Sequence, residues 1–484
     1  MMNSIESLLK RNALFFSKKT ALIANDREVT YAQLWSSILC AANSLQNEYG
    51  VRKGDRVILS ASGNVEFIYA YFGVHIAGGI AVPIDPDTNF ARYEYIKETT
   101  SPKCVIGCLH KAGVNGILFD KFAENDNSFF DYLEPSQDDI ADILFTTGTT
   151  GNPKGVTLSY KNLAAAAAQI NTFVGNTEDD VELLALPVSH SFGLGRIRCV
   201  LSIGGTLVVL GSFANIKRFF KEIKEHNVTG FGMVPASWAY MKKFSGKYIA
   251  NFANRLKYIE IGSSFMPQEE KRLLMELLPN TRLNMHYGLT EASRSAFMEF
   301  HQEKDNLGTI GKPSPGVDIV LFNTSGQKVA LGEEGEICVK GEHVCSGYWN
   351  VSLDEFKKDF YGDYFRTGDC AVMGENGYIY LKSRIKEMIN VGGKKVSPME
   401  VEEMINAIPG IKECACVGIP DENGILGEVV KAFVVADENV TDEFILESLR
   451  PKLETYKMPE KIERINEIPR TSNGKIQRIK LKQS

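Results

Sequence analysis

Residues 144–156 read LFTTGTTGNPKGV and combine small hydroxyl and glycine residues with a single lysine. Glycine lets successive backbone N–H groups converge on an anion, while threonine hydroxyls and a lysine ammonium supply further donors. Phosphate is therefore the predicted ligand. An ordinary P-loop NTPase is disfavoured, because Gly148 and Gly151 are too close together and Gly155 stands where the magnesium-binding hydroxyl belongs. For this segment alone, a plain polar surface loop stays the alternative.

A second segment, HYGLTEAS, places an aromatic ring, a hydroxyl and a carboxylate within five residues. Tyr287 offers a surface for a base, and Thr290 offers a donor for phosphate. The carboxylate of Glu291 is a candidate magnesium ligand. This composition fits a nucleotide with its metal ion.

Three later segments add polar groups of the same kind. In YFRTGDCA, the two oxygens of Asp369 could accept from both hydroxyls of a ribose. SRIKEMINVGGKKVSPMEVE contains Arg384 and the flexible pair Gly392-Gly393, and PRTSNGKIQRIKL places Lys475 after a turn-forming Asn-Gly. These segments complete a set that could bind ATP.

The elements that must position these segments follow an α/β pattern. Short β-rich runs such as DRVILSA, GGIAVPI, LLALPV and GGTLVVL alternate with segments of helical length such as NVEFIYAYFGVHIA and FANIKRFFKEIKEHN. This alternation predicts mixed sheets flanked by helices.

The pattern of predicted strands and helices changes twice in the second half of the sequence. After about Gly308, glycine-punctuated runs such as GEICVKG and GYIYLKS predict a smaller β-rich subdomain. After Arg384 the order is strand, helix, strand, strand, helix and a lysine-rich tail, which predicts a small α+β domain. We therefore expect an N-terminal domain over residues 1–385 and a C-terminal domain over 386–484.

Composition narrows the function classes. A chain of 484 residues is too long to fold around one compact core, so more than one domain is expected. A net charge of −6 with a pI near 5.8 argues against nucleic acid as a partner. The N-terminus lacks a signal-peptide core and no window resembles a membrane span, so a cytoplasmic protein is predicted. The nine cysteines are scattered without zinc-site spacing, which predicts reduced, mostly buried thiols.

The five motif segments, in this order, resemble the adenylate-forming superfamily of acyl-CoA synthetases, aryl-CoA ligases, adenylation domains and beetle luciferases. Fatty-acyl- and aryl-CoA ligases are the most similar in type. The resemblance implies a large N-terminal domain and a small, mobile C-terminal domain. It also implies two half-reactions: a carboxylic acid and ATP give acyl-adenylate and pyrophosphate, and a thiol then displaces AMP. The implied cofactors are ATP, Mg²⁺ and coenzyme A, or the phosphopantetheine of an acyl carrier protein.

The resemblance carries each part of nucleotide binding to positions of this chain. The pyrophosphate end of ATP falls on Thr146, Thr147, Gly148, Thr149, Thr150, Gly151 and Lys154. Adenine, α-phosphate and ribose contacts fall on Ser263, Ser264, Tyr287, Thr290, Asp369 and Arg384. The magnesium ligand is Glu291. A structural Asp–Arg ion pair and a core aromatic are the alternatives for the ribose and adenine residues.

The resemblance further implies that the C-terminal domain alternates between two poses. Lys475 would bridge the substrate carboxylate and phosphate in the first, although a solvated tail lysine is the alternative. Lys386 stands at the hinge position, and Gly392-Gly393 would line a narrow passage for pantetheine in the second pose. An ordinary hairpin turn is compatible with that glycine pair.

The segment ALPVSHSFGLGR resembles the border of the acyl pocket, with His190 and Phe192 facing the carboxylate end. His190 could equally be a gate or a core histidine. Amino-acid-activating relatives usually carry Asp where this chain has Gly193, so an α-amino acid is disfavoured and a fatty or aromatic acid is expected. His286, where many ligases carry Gly, could shorten the pocket or donate to a polar substrate group, so very long chains are disfavoured.

Two alternatives to an acid–CoA ligase stay open. The same adenylation could load an acyl carrier protein, since neither a CoA phosphate site nor a docking face is visible in the sequence. A non-enzymatic nucleotide sensor is disfavoured, because it would be expected to have lost Lys475, Lys154 or Glu291, and all three are present.

Overall fold

A computed structural model of the chain describes residues 4–25, 27–122, 134–146, 153–471 and 475–483. Short 3₁₀ turns join several elements, and one of them, Ile385–Glu387, contains the predicted hinge position. The α-helices span Ile5–Phe15, Tyr31–Asn47, Val65–Ile76, Phe90–Thr100, Tyr160–Val174, Ser191–Ile203, Ile216–Glu225, Pro235–Ser245, Gln268–Leu277, Leu353–Phe356, Pro398–Asn406, Asp442–Leu449 and Arg478–Gln483.

The largest sheet has a parallel centre and antiparallel edges. Helices connect its parallel strands and cover its faces, which is why the strands read as short apolar runs. In sheet order its strands are Lys312–Pro313, Ala296–Glu299, Arg282–Tyr287, Tyr258–Ile261, Gly230–Met233, Val181–Leu184, Thr206–Val209, Thr20–Ala24 and Arg27–Thr30.

Two further sheets complete the larger part of the molecule. The first has the order Gly347–Tyr348, Gly155–Ser159, Ile140–Phe145, Ile80–Ile84, Arg56–Ser60 and Cys104–Ile106. The second has the order Asp318–Phe322, Glu334–Lys340, Tyr364–Met373 and Phe360–Tyr361, with Ile379–Arg384 paired to Tyr364–Met373. This last sheet is the predicted β-rich subdomain.

The chain after the hinge position has a core of its own. Its strands are Ile411–Pro420, Glu428–Ala436 and Lys461–Arg464, with a hairpin formed by Ile389–Val391 and Lys394–Val396. Helices 398–406 and 442–449 pack on them, and one buried apolar cluster there draws only on residues 389–462. The predicted α/β fold class with a small α+β unit is confirmed.

Local signals explain the helix after the threonine-rich loop. Ser159 and Asn162 form a capping box at its start, and Gly175, at φ +78°, ends it in the left-handed region. Alanine-rich sequence between these residues favours helix, as predicted. The nine cysteines are free thiols, most of them buried. Within the described ranges, none of the helices has the length and apolar character needed to cross a membrane.

A buried charge cluster ties four elements around the strand that leads into the threonine-rich loop. The Asp142 carboxylate on that strand lies 2.9 Å from His75 Nε2 and 2.9 Å from a guanidinium nitrogen of Arg198. His75 Nδ1 lies 2.8 Å from the Glu6 carboxylate. Burial by itself lowers the pKa of His75, but hydrogen bonds to Asp142 and Glu6 outweigh it and raise that pKa to about 9. The cluster therefore holds two positive and two negative charges.

We expect the free energy of unfolding to fall as pH rises from about 6.5 to about 9, because folded His75 keeps its proton up to about 9 and the unfolded chain loses it near 6.5. The stability that this proton contributes, roughly 3 kcal/mol, is fully present below the unfolded-state pKa of about 6.5 and is lost above the folded-state pKa of about 9. Urea unfolding across this window should show the slope for wild type and a flatter one for His75→Gln. The control variant His110→Gln, at an exposed position, should keep the wild-type slope, and an unchanged slope in His75→Gln would contradict this assignment.

Candidate active site

The base of the threonine-rich loop is closed by two backbone contacts. Strands Ile140–Phe145 and Gly155–Ser159 form an antiparallel hairpin. At the end of this hairpin that carries the loop, the Thr146 N–H donates to the Lys154 carbonyl at 3.0 Å, and the Lys154 N–H donates to Thr146 Oγ1 at 3.3 Å. The remaining predicted loop residues lie outside the described ranges: Thr147, Gly148, Thr149, Thr150 and Gly151.

Lys154 and Glu291 both contact Tyr348, a residue that lies outside the five motif segments. The Lys154 ammonium is 4.3 Å from the centroid of the Tyr348 ring. The Tyr348 hydroxyl donates to Glu291 Oε1 at 3.1 Å. The structure therefore brings the predicted phosphate-binding lysine and the predicted magnesium ligand together through Tyr348.

Three of the five residues predicted to hold adenine and ribose are in contact. Asp369 and Arg384 face each other on paired strands, with the Arg384 Nε 3.1 Å from Asp369 Oδ1. The Tyr287 hydroxyl donates to Asp369 Oδ2 at 2.6 Å. Burial raises the pKa of Asp369, which Arg384 and Tyr287 only partly offset. Each carboxylate oxygen has one protein partner and a further lone pair, so both the ion-pair and the ribose interpretation fit this geometry.

Lys475 of the C-terminal tail reaches this group. Burial lowers its pKa, and the nearby charge of Arg384 lowers it further, whereas the carboxylates of Asp369 and Glu291 act in the opposite direction. The lysine is therefore not the fully solvated tail residue of the alternative interpretation. An incompletely solvated cation has most to gain from an anionic ligand.

The tail is fixed to its own domain three residues after Lys475. Arg478 is mostly buried and pairs with Glu387, 2.9 Å away, and with Glu402, 2.5 Å away. Glu387 directly follows Lys386, the predicted hinge position, which is exposed. Arg478 thus joins the segment that carries Lys475 to the segment at the predicted hinge.

His190 lies in the same region, just before helix Ser191–Ile203. Burial lowers its pKa, and the nearby charges are Asp85, Arg92 and Lys475. Both predicted interpretations of His190, a gate at the carboxylate end and a core histidine, stay open. A guanidinium nitrogen of Arg92 also lies 3.4 Å from the Thr146 carbonyl.

His286 packs beside Phe192, one of the residues predicted to border the acyl pocket. Its ring packs edge-on against Phe192, with centroids 4.7 Å apart, and a Cβ added to Gly262 would lie 2.1 Å from it. Its Nδ1 is 2.7 Å from Glu260, whose pKa is well below its usual range because Arg294 and Arg196 outweigh burial. Both predicted effects of His286, a shorter acyl pocket and a donor to a polar substrate group, stay predictions.

Gly193 has a packing reason that the sequence did not reveal. A Cβ at this position would lie 2.3 Å from the Pro187 carbonyl oxygen. An aspartate at this position would therefore require a backbone shift. The absence of an acidic side chain follows from this close approach as well as from any choice of substrate.

For the other predicted residues the structure gives backbone conformation and burial, and their roles stay predictions. Ser263 adopts φ +75°, a strained value for a residue other than glycine, and Ser264 and Thr290 are half-buried. Gly392 and Gly393 are exposed, at φ +57° and +81°, and form the turn of a hairpin. The hairpin-turn interpretation is confirmed, and the passage for pantetheine stays a prediction.

Comparison with known proteins decides the family. Residues 9–349 match the AMP-binding enzyme family, and residues 400–475 match the C-terminal domain of AMP-binding enzymes. The chain belongs to this family. The predicted adenylate-forming enzyme of the acid–CoA ligase type is confirmed at this level.

Members of the AMP-binding enzyme family match the chain over its whole length. A long-chain-fatty-acid–CoA ligase of Mycobacterium tuberculosis, FadD13, is 29% identical and covers 100% of this chain and 98% of its own. ATP-bound MatB from Rhodopseudomonas palustris is 27% identical with a TM-score of 0.89, covering 99% and 98%, whereas the apo form scores 0.79. MenE, the o-succinylbenzoate–CoA synthetase from Bacillus subtilis, in complex with ATP and magnesium ion, is 25% identical with a TM-score of 0.89, covering 98% and 99%.

The geometry fits a magnesium ion that arrives with the nucleotide. Glu291 is half-buried, and one of its oxygens is engaged by Tyr348. Within the described residues, no group of three or more His, Cys, Asp or Glu side chains could hold a metal ion. Mg²⁺ commonly binds through one or two carboxylates, substrate phosphates and water, and a single carboxylate suits that mode.

Sequence reasoning missed Tyr348, Arg478, Glu387 and Arg92. Arg478 had a local signal, since it lies three residues from Lys475 in a motif already quoted. Glu387 likewise adjoins the hinge position. Tyr348 and Arg92 had none, because their positions depend on the pairing and packing of segments far apart in the chain.

Proposed function

We propose that this AMP-binding enzyme activates a compact, non-amino carboxylic acid with ATP and transfers the acyl group to coenzyme A. The observation that carries the proposal is the position of Lys475 beside the Asp369–Arg384 pair. This arrangement supports one site built from the large and small parts of the chain.

In the first step, a carboxylate oxygen of the acid attacks the α-phosphorus of ATP. The bond from that phosphorus to the pyrophosphate oxygen breaks, giving acyl-adenylate and pyrophosphate. Both reactants are anionic, so the step requires donors where negative charge accumulates. We assign the pyrophosphate end to Thr146 and Lys154, and the carboxylate and α-phosphate to Lys475 with Thr290.

The remaining contacts orient the nucleotide. Asp369 and Arg384 would hold the ribose, and Tyr287, Ser263 and Ser264 would border adenine. Glu291 would hold Mg²⁺, which supplies charge neutralisation on the phosphates. These roles fit the distances among the described side chains.

The captured pose suits adenylation. Two observations support this pose: the charges of Asp369 and Glu291 act on Lys475, and the TM-score is 0.89 with ATP-bound MatB against 0.79 with its apo form. For the second step, the small domain would turn about Lys386 and remove Lys475. Gly392-Gly393 would then approach the thiol, which attacks the acyl carbonyl and releases AMP.

The pocket geometry supports a compact acid. His286 fills the space beside Phe192, and Glu260 and Phe297 hold its ring in place. The relatives' own acids range from long-chain fatty acids to o-succinylbenzoate, so they support no single acid for this chain. We favour short aliphatic or single-ring aromatic acids.

An acid panel in ATP–pyrophosphate exchange tests the function. We expect exchange with short fatty or aryl acids and none with the standard amino acids, because no carboxylate at position 193 could pair with an ammonium group. Thioester formation with CoA and with an acyl carrier protein, measured in parallel, identifies the acceptor. Strong exchange with an α-amino acid, or thioester with the carrier protein alone, would contradict the proposal.

His286→Gly should extend the range of acids. Removing the ring opens space next to Phe192, so acids too long for wild type should gain about tenfold or more in kcat/KM, the usual scale for one misfitting methylene. Gly262→Ala, which would push a methyl group against the same ring, should not produce this gain. Chain-length profiles of both variants provide the measurement, and an unchanged profile in His286→Gly would exclude this side chain as the pocket's end.

Lys475→Ala should lose about 10²–10³ in the rate of adenylate formation, the typical effect of removing one fixed donor from a developing anion. Thioester formation from supplied acyl-adenylate should stay largely intact. Lys480→Ala, on the exposed face of the same tail, provides the matched control and should retain both half-reactions. Equal losses in both steps for Lys475→Ala would rule out the alternating-domain mechanism.

A further inference from the structure

Tyr348 contacts two opposite charges, the Lys154 ammonium and the Glu291 carboxylate. Its ring face is turned to the Lys154 ammonium at 4.3 Å, and its hydroxyl donates to Glu291 Oε1 at 3.1 Å. The tyrosine is 8% exposed and Glu291 is half-buried, whereas Lys154 is exposed. Among the described salt bridges, Lys154 and Glu291 do not pair with each other.

The backbone fixes this tyrosine on both sides. Tyr348 pairs with Val156 on the strand that follows the threonine-rich loop, and the Trp349 N–H donates to the Gly155 carbonyl at 2.7 Å. The Cys345 N–H donates to the Glu291 carbonyl at 2.7 Å. One short segment therefore holds both the end of the loop and the backbone of the predicted metal ligand.

We propose that Tyr348 is a positioning residue that keeps Lys154 and Glu291 apart and aims each at its own partner, Lys154 at the pyrophosphate end of ATP and Glu291 at Mg²⁺. This inference rests on the proposed function, because both partners are those of the adenylation step.

The hydroxyl acts on the metal side. By donating to Oε1 it fixes the carboxylate plane and leaves Oε2 for the cation. Residues that hold a metal ligand in this way typically change metal affinity or activity by about 10–100-fold when removed.

The ring acts on the phosphate side. An aromatic face attracts an ammonium ion without neutralising its charge. If the ring were absent, Lys154 could approach Glu291 and form an ion pair. ATP and Mg²⁺ would then have to break that pair before either could bind.

Two substitutions separate these effects. Tyr348→Phe keeps the ring and loses the hydroxyl, whereas Tyr348→Leu loses both. We would measure ATP binding to the full-length protein by calorimetry in the absence of the carboxylic acid substrate. One series is run in EDTA and the other over a titration of Mg²⁺, so that the readout does not depend on turnover. Tyr31→Phe controls for loss of a buried tyrosine hydroxyl, because that hydroxyl donates to the Gly205 carbonyl at 2.6 Å, away from the site.

For Tyr348→Phe we expect ATP affinity in EDTA to stay within about twofold of wild type and the half-saturating Mg²⁺ concentration to rise about tenfold. For Tyr348→Leu we expect ATP affinity in EDTA to fall as well, by about 3–10-fold. Tyr31→Phe should bind as wild type in both buffers.

A wild-type Mg²⁺ titration in Tyr348→Phe would overturn the role of the hydroxyl, and wild-type ATP affinity of Tyr348→Leu in EDTA would overturn that of the ring. Equal binding losses in Tyr31→Phe would reduce Tyr348 to a structural residue. A wild-type protein that binds no ATP in either buffer would instead refute the proposed function.

Discussion

A carboxylate and a triphosphate repel each other, and in the proposed site cations from distant parts of the chain would oppose that repulsion. Lys154 follows the threonine-rich loop, Arg384 ends a strand of the β-rich subdomain, and Lys475 comes from the tail. Left alone, such cations would also repel each other. Asp369 and Glu291 lie among them and reduce this repulsion before the substrates arrive.

The scaffold holds these charges through a second set of buried ionic contacts. Asp142, on the strand that enters the loop, is bonded to His75 and to Arg198, on the helix that follows His190. In the small domain, Arg478 serves a comparable purpose beside Lys475. Removing one partner of such a buried pair leaves an uncompensated charge, so these contacts hold the strand and the tail in one arrangement.

Sequence reasoning predicted what is local. The strands, the helix after the loop and the residues Lys154, Asp369, Arg384 and Lys475 all depend on nearby composition or on a motif. Tyr348 could not be found in this way, because its role arises only when a two-residue strand pairs with the strand after the loop. The contact between His286 and Glu260 was hidden for the same reason, since it joins neighbouring parallel strands.

The close approach of Gly193 to the Pro187 carbonyl limits how this enzyme could be redesigned or could diverge. A single change to aspartate would introduce a side chain where the backbone leaves no room, so a switch to amino acids would need compensating changes around residue 187. By contrast, His286 can be shortened without such a clash. In the proposed acyl pocket, a preference for longer acids is therefore easier to acquire than a preference for acids that carry an ammonium group.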